Sequence, residues 1–257
     1  MTSSADIGDH MALGVGAIIG ESFSIFLKHL IPVALMALVP SLLSLLASGA
    51  LIGVDVTLGA AEPEFNASFG FGAWAMATVL QMSFYSLTTA LLVQLAYDAK
   101  LGRTIQLGRY VAPAIRAAVP ITVLSLIAGV LMGVASIALI IPGLWVYAVF
   151  SMIAPAVVIE RVGFGGLGRS ANLTKDYRWP ILGALILIGI VVVIFNFIAG
   201  FAAELTADSG QFVAALAYLI PTTLGAGLSG VCIALIYARL REIKEGVSVD
   251  EIALVFD

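Results

Sequence analysis

Few side chains in this sequence could perform catalysis or hold a metal. The two histidines, His10 and His29, lack the three or four convergent ligands that a zinc site needs, and Cys232 is the only cysteine. The chain contains no nucleophile elbow, no phosphate-binding loop and no H-E-x-x-H pair. Charged residues stand only at the ends of the long apolar segments. The sequence therefore predicts a protein that is not an enzyme and needs no metal or cofactor.

Neutral polar side chains inside the apolar segments are the remaining candidates for a functional site. Gln81, Tyr85 and Thr88 could share one helix face, because they are spaced by four and three residues. Gln94 and Asn196 are further amide side chains within such segments. These five residues could line the path of a solute. The alternative, which we favour, is that they only join neighbouring helices, at about 1 kcal/mol or less each.

The elements that position these side chains are membrane helices. Hydrophobic residues make up 61% of the 257 residues, charged residues make up 11%, and the mean hydropathy is +1.11. A soluble domain carries about a quarter charged residues. Apolar segments of about 20 residues can cross a bilayer as helices, so the sequence predicts an all-α integral membrane fold with six transmembrane helices. The predicted spans are 31–53, 72–97, 119–141, 143–160, 180–203 and 211–238.

The basic residues predict the orientation of these spans. All twelve Lys and Arg residues fall in four clusters, and two predicted spans separate each cluster from the next. By the positive-inside rule, both termini then face the cytoplasm. No basic residue precedes Lys28, so no signal peptide is expected and the first span is retained. The clusters are Lys28; Lys100, Arg103, Arg109 and Arg116; Arg161, Arg169, Lys175 and Arg178; and Arg239, Arg241 and Lys244.

Glycines and prolines recur at matching places, which indicates three related units. A proline opens the first, third and fifth spans, and a glycine stands twelve residues before each proline. This spacing predicts an amphipathic interfacial helix, a hinge and a two-span hairpin in every unit, related by a pseudo-threefold axis along the membrane normal. Coincidence is the alternative, because the chain holds 26 Gly and 9 Pro. The predicted hinge residues are Gly20 and Pro32, Gly108 and Pro120, and Gly168 and Pro180.

A tight turn is predicted between the third and fourth spans. Pro142 and Gly143 stand between them, and neither residue continues a helix comfortably. The whole chain, 1–257, is predicted to be a single membrane domain, with units at approximately 10–100, 101–161 and 162–244 and a cytoplasmic tail at 245–257.

Charged residues beside the predicted interfacial helices have two candidate roles. Glu160 could pair with Arg169 or Arg109 and clamp an interfacial helix against a span. Alternatively, the cations reach the phosphates of anionic inner-leaflet lipids, at about 1 kcal/mol each, and this is the role that we favour. The residues concerned are Arg109, Arg116, Glu160, Arg161, Arg169, Lys175 and Arg178.

Several motifs carry a family resemblance. They are IPG at 141–143, APAVVIE at 154–160, SANLT at 170–174 and YARLRE at 237–242. With them, the chain resembles a poorly characterised bacterial family of six-span integral membrane proteins. That family is similar to the membrane domain fused to glycerophosphodiester phosphodiesterases, in which a separate domain performs the chemistry. The resemblance implies a free-standing membrane part in a bacterial inner membrane, without a catalytic half.

Two functions of different class remain open. We favour a non-catalytic membrane-organising or scaffold protein that contacts lipids of the anionic inner leaflet and packs against a membrane-protein partner or copies of itself. The alternative is a permease for a small neutral solute or a lipid. A dry axis packed with Gly and Ala would favour the scaffold, and water-filled space would favour the permease. No nucleic acid partner is expected.

The predicted orientation can be tested by cysteine labelling. A membrane-impermeant thiol reagent added outside should label a cysteine placed at position 64 and should not label one placed at position 106. The reverse pattern would overturn the assignment of both termini to the cytoplasm, because position 106 lies in a basic cluster region and position 64 in an outer connector.

Overall fold

The computed structural model describes residues 12–62 and 70–247, whose regular secondary structure is entirely helical. His10, the start of the first predicted unit, and most of the predicted tail 245–257 lie outside the described residues. Short 3-10 turns at Gly163–Gly165 and Ala207–Ser209 join longer elements. The helices are α1 (Val15–Lys28), α2 (Leu30–Ile52), α3 (Val54–Thr57), α4 (Gly70–Lys100), α5 (Leu107–Ala138), α6 (Ile140–Phe150), α7 (Ile153–Glu160), α8 (Gly166–Thr174), α9 (Arg178–Leu205) and α10 (Gln211–Glu245).

Six segments of the described chain are long and apolar enough to cross a membrane, which confirms the predicted number of spans. Five of them lie within α2, α4, α5, α9 and α10, and α6 and α7 together form the sixth. Large apolar side chains on the outer faces stay exposed, among them Ile137 at 86% and Phe197 at 76%. Such faces suit lipid and not water. The chain is therefore a multi-pass membrane protein.

The spans form a closed ring. Each span contacts the next in chain order, and α10 completes the ring by packing against α2. The second span of each consecutive pair is the more buried one. The buried share of the most apolar 18-residue stretch of each span is 22% in α2 and 39% in α4, 17% in α5 and 50% in α6–α7, and 28% in α9 and 72% in α10. The bundle interior is thus made mainly by α4, α6–α7 and α10, with α4 also contacting α10 directly.

The helix breaks differ from the predicted hinges. α1 and α2 separate at His29, and α8 and α9 separate at 175–177, where Asp176 has a φ of 70°. α5, however, runs without interruption from Leu107 to Ala138 and contains Pro120. The second unit therefore has no separate interfacial helix, and this part of the prediction is corrected. Pro32 and Pro180 lie in the first turns of α2 and α9, where proline removes a donor that has no helical partner.

The glycines predicted to act as hinges lie inside helices. Gly20, Gly108 and Gly168 belong to α1, α5 and α8, and a Cβ atom built on any of them meets no atom within 4 Å. Neither a turn nor a close approach requires glycine there. The turn between α5 and α6 also lies elsewhere than predicted, at the extended residue Leu139 (φ −167°, ψ 153°), and Pro142 belongs to the first turn of α6.

The fourth span is interrupted at 151–152, between α6 and α7. Pro155 has no N–H to offer, and its ring would clash with the carbonyl of residue 151 in a continuous helix. The freed backbone groups find partners on α8. The Ser170 hydroxyl accepts from the Met152 N–H at 3.2 Å and donates to the Val149 carbonyl at 2.7 Å. The Thr174 hydroxyl lies between the Ser170 and Val149 carbonyls, at 2.9 and 3.2 Å. These bonds hold α8 against the fourth span.

Gly143 is required where α6 turns back against α5. A Cβ atom at this position would lie 1.9 Å from Ser136 Oγ and 3.2 Å from Ser136 Cα, so rotation of the serine side chain alone could not relieve the clash. We expect Gly143→Ala to destabilise the fold by about 1–3 kcal/mol. Thermal unfolding in mild detergent should show the loss.

Gly183→Ala is the matched control, because a Cβ atom on this α9 glycine meets nothing within 4 Å. Replacing a helical glycine with alanine should leave stability unchanged or raise it by about 0.5–1 kcal/mol. Equal melting temperatures for the two variants would contradict the proposed contact between α5 and α6.

Candidate functional site

A cavity of about 430 Å³ lies inside the bundle, and all six spans contribute to its wall. The lining residues lie near the middle of the spans and toward the connector between α2 and α4, where Thr57 of α3 reaches the wall. We call this the loop side of the bundle. The opposite side, which carries α1, α8 and the ends of the spans with Lys and Arg, is the basic side. The cavity thus occupies the middle and the loop side.

Four of the five predicted polar residues line this cavity: Gln81, Tyr85, Thr88 and Asn196. Gln81 and Asn196 are also exposed, so the cavity reaches the outside of the bundle beside them. Gln94 is the exception. It follows Thr88 by six residues, which turns it about 240° around the helix and away from the cavity face. Gln94 is 2% exposed, and neither its amide nitrogen nor its oxygen has a hydrogen-bond partner.

Hydroxyl groups that were not singled out from the sequence form much of the wall. Ser41, Ser44 and Ser48 of α2 all line the cavity. Their spacing by three and four residues places them on one helix face, and this spacing was the signal that could have revealed them. Tyr147 of α6 lies beside Tyr85 and has no comparable signal, because it stands alone in an apolar run.

Polar side chains of the wall also join the spans to one another. The Tyr85 hydroxyl of α4 is hydrogen-bonded to Ser229 of α10. Ser86 of α4 and Ser125 of α5 are hydrogen-bonded through their Oγ atoms at 2.8 Å. Interhelical bonds of this kind contribute about 1 kcal/mol each in a membrane. Tyr85 therefore joins α4 to α10, the role that the sequence favoured for these polar residues, and it also faces the cavity.

A layer of buried apolar side chains separates most of the cavity from the basic side. Leu92 and Leu95 of α4 and Val231 and Leu235 of α10 are at most 1% exposed. The helices approach closely here, since a Cβ atom on Gly230 would lie 2.6 Å from Leu92 Cδ1. α4 and α10 are therefore tightly packed at this depth. The cavity reaches this layer at Ile233, and none of its described lining residues lies beyond the layer on the basic side.

A group of charged side chains lies beyond this layer. The Arg169 Nε of α8 is 2.8 and 2.6 Å from the two carboxylate oxygens of Glu160, and its guanidinium also pairs with Glu245. Arg241 Nε lies 2.7 Å from Glu245 and 4.0 Å from Glu160. The Tyr237 hydroxyl donates to Glu160. We call these five residues the Glu160 cluster, and it joins the ends of α7 and α10 to α8.

The expected pairing of Glu160 with Arg169 is thus present, whereas Glu245, Arg241 and Tyr237 were not anticipated. Burial disfavours the charge on Arg169, but its hydrogen bonds to Glu160 and Glu245 outweigh burial and raise the pKa of the guanidinium. Arg169 therefore stays charged at any physiological pH. A guanidinium can serve two carboxylates at once because its five N–H groups form a planar fork.

The other predicted cations occupy different surroundings. Arg178 lies over the Trp145 ring, with 4.4 Å to the ring centroid, and donates to the Ala171 carbonyl at 3.5 Å. It therefore connects α6, α8 and α9. The remaining four are exposed: Arg109, Arg116, Arg161 and Lys175. Arg161 directly follows α7 and has a left-handed backbone conformation, with a φ of 54°.

Two further ion pairs tie the short helices to the bundle. Lys100 Nζ of α4 lies 2.8 Å from Glu21 of α1. Lys244 Nζ of α10 lies 3.8 Å from Asp176 and 3.1 Å from the Asn172 carbonyl of α8. Within the described residues, no group of three or more His, Cys, Asp or Glu side chains could hold a metal ion.

The Glu160 cluster predicts a difference between arginine and lysine at position 169. Arg169→Lys replaces the fork with a single ammonium that cannot bridge Glu160 and Glu245 in the same way. We expect a loss of about 1–2 kcal/mol, smaller than for a fully buried pair because Arg169 is 23% exposed. Arg116→Lys, at an exposed position of α5, is the control and should unfold like the wild type. Equal effects of the two substitutions would mean that the cluster adds no stability.

Comparison of the chain with protein-family models, curated proteins and solved structures finds no match. The resemblance to the membrane domain of glycerophosphodiester phosphodiesterases therefore stays a prediction from sequence motifs. The function has to be inferred from the cavity and from the charged residues that surround it.

Proposed function

We propose that this protein is a permease for an uncharged solute or lipid, with the cavity as its binding site. The observation that carries the proposal is the cavity itself, at about 430 Å³ and lined by side chains from all six spans. Its size lies within the range of about 300–1,000 Å³ typical of ligand pockets. The sequence alone favoured a scaffold with a dry axis. Open space lined by hydroxyl groups supports the alternative.

The lining supports an uncharged ligand. No described residue of the wall is Asp, Glu, Lys, Arg or His. An ion held at membrane depth without a counter-charge is destabilised by about 3 kcal/mol or more. A neutral molecule avoids this cost and can still hydrogen-bond to the serine, threonine and tyrosine side chains of the wall.

The closed basic side supports alternating access over a permanent channel. The buried leucine layer of α4 and α10 separates the cavity from the Glu160 cluster, so a bound molecule cannot leave in that direction without a rearrangement. The cluster holds α7, α8 and α10 together at the same end. We infer that its ion pairs must loosen when the cavity opens to the basic side, which we place in the cytoplasm.

Burial also supports the proposed threefold repeat. The residue two positions after each matched glycine is at most 1% exposed, and the residue six positions after it is at most 5% exposed. The residues four and eight positions after each glycine are exposed in all three units, at 24 and 28, 112 and 116, and 172 and 176. Three short helical segments therefore present equivalent faces to the bundle. The two buried sets are Ser22, Tyr110 and Ser170, and Phe26, Ala114 and Thr174.

Flux through reconstituted protein tests the proposed function. Liposomes containing the wild type should equilibrate erythritol, followed by light scattering, or move a fluorescent monoglycosylated lipid between leaflets faster than empty liposomes. Ala128→Phe places a ring in the cavity wall and should reduce the rate to that of empty liposomes. Ile127→Phe is the matched control, because Ile127 is 41% exposed on the outer face and does not line the cavity.

Wild-type rates equal to those of empty liposomes in both assays would contradict the permease. If the protein purified from its native membrane also carried a stoichiometric second membrane protein, a scaffold role would take its place. If Ala128→Phe and Ile127→Phe slowed transport equally, the path would not pass through the cavity.

A further inference from the structure

Five serine and threonine hydroxyls of the cavity wall donate their protons to the helix backbone. Thr88 and Thr89 of α4 donate to the carbonyls of Phe84 and Tyr85, at 2.9 and 3.2 Å. The same pattern holds for three more hydroxyls of the wall, whose acceptors are backbone carbonyls three or four residues earlier. These are Thr57 to Gly53 at 2.8 Å, Ser151 to Ala148 at 2.9 Å and Thr222 to Tyr218 at 2.9 Å.

A hydroxyl group has one proton and two lone pairs. When its proton is donated to the helix backbone, only lone pairs remain to face the cavity. Each of these five side chains therefore presents an acceptor to a bound molecule. The amide of Asn196 is committed in part as well, because its Nδ2 donates to the Val192 carbonyl at 2.9 Å. These six side chains consequently offer a bound molecule more hydrogen-bond acceptors than donors.

The remainder of the wall is apolar. Large side chains such as Met82, Phe84, Phe150 and Leu219 face the same space as the hydroxyls. A ligand that filled this cavity with polar groups alone would leave some of its donors against hydrocarbon, at about 1–3 kcal/mol for each unpaired group. A ligand with one polar end and one apolar part would satisfy both kinds of surface.

We propose that the cavity binds an uncharged amphiphile whose polar end donates hydrogen bonds, such as a lipid or alcohol with free hydroxyl groups. The inference rests on the proposed function and specifies its ligand. An anion is disfavoured twice, because no cationic side chain of the described chain lines the cavity and because the described acidic residues Asp55, Glu204 and Asp208 lie on the loop side. A cation is disfavoured because no carboxylate of the described chain faces the cavity.

Four ligands with the same eight-carbon chain, together with one polyol without that chain, test whether the ligand must donate hydrogen bonds. Equilibrium dialysis of the protein in lipid nanodiscs would measure binding of 1,2-octanediol, its dimethyl ether, octanoate, octylammonium and the chain-free polyol erythritol. Empty nanodiscs and the Ala128→Phe variant give the background. The diol and its ether share both oxygens, but only the diol can donate. We expect the diol to bind about tenfold or more tightly than the ether, and more tightly than the other three compounds.

Threonine-to-valine variants test which residues accept these bonds. Thr88→Val, Thr89→Val and Thr222→Val combined should weaken diol binding about tenfold and leave binding of the ether unchanged. Thr78→Val and Thr206→Val form the matched control. Both threonines donate to the carbonyl four residues earlier, at 2.9 and 2.7 Å, but neither lines the cavity.

Each result separates this inference from the proposed function. Equal binding of diol and ether, abolished by Ala128→Phe, would overturn the donor requirement and keep the cavity as a site for neutral molecules. Erythritol binding as tightly as the diol would overturn the need for an apolar part. Preferred binding of octanoate or octylammonium, or no binding of any compound above background, would overturn both.

Discussion

The bilayer interior offers no hydrogen-bond partner to a polypeptide backbone, and the rest of this structure depends on that constraint. It keeps α5 continuous through Pro113 and Pro120, where the sequence suggested a hinge. It also explains the position of α8. The break caused by Pro155 frees backbone groups inside the fourth span, and the side chains of Ser170 and Thr174 satisfy them. Because α8 is held there, Arg169 reaches Glu160.

The cavity lies in the middle and the loop-side half of the bundle along the membrane normal. Glycines let neighbouring helices approach closely on both sides, Gly143 on the loop side and glycines of α10 on the basic side. A Cβ atom on Gly227 would lie 2.8 Å from Val33 Cγ1, and one on Gly230 would lie 2.6 Å from Leu92 Cδ1. In the middle and on the loop side, the spans contribute serine, threonine and tyrosine and leave a cavity between them. A buried apolar layer and a cavity at different depths of one bundle are compatible with the proposed alternating access.

Local sequence patterns were reliable where the physical cause is local. Helical spacing correctly put Gln81, Tyr85 and Thr88 on one face, and the same geometry explains why Gln94 faces away from the cavity. The pair of Glu160 and Arg169 was within reach of prediction because nine residues separate its members. Glycine and proline were less informative. Their propensities are worth about 1–3 kcal/mol, which a membrane span can override by keeping its backbone bonded.

By itself, the sequence determined the number of spans, the all-helical class and the segregation of basic residues, because these follow from the composition of consecutive residues. Only the tertiary structure decided that Glu245 and Arg241, more than 70 residues after Arg169, would complete the Glu160 cluster. It also decided that six spans would leave between them a cavity with hydroxyl groups in a largely apolar wall. A cavity is the space left over when all the spans have packed, so no single segment encodes it.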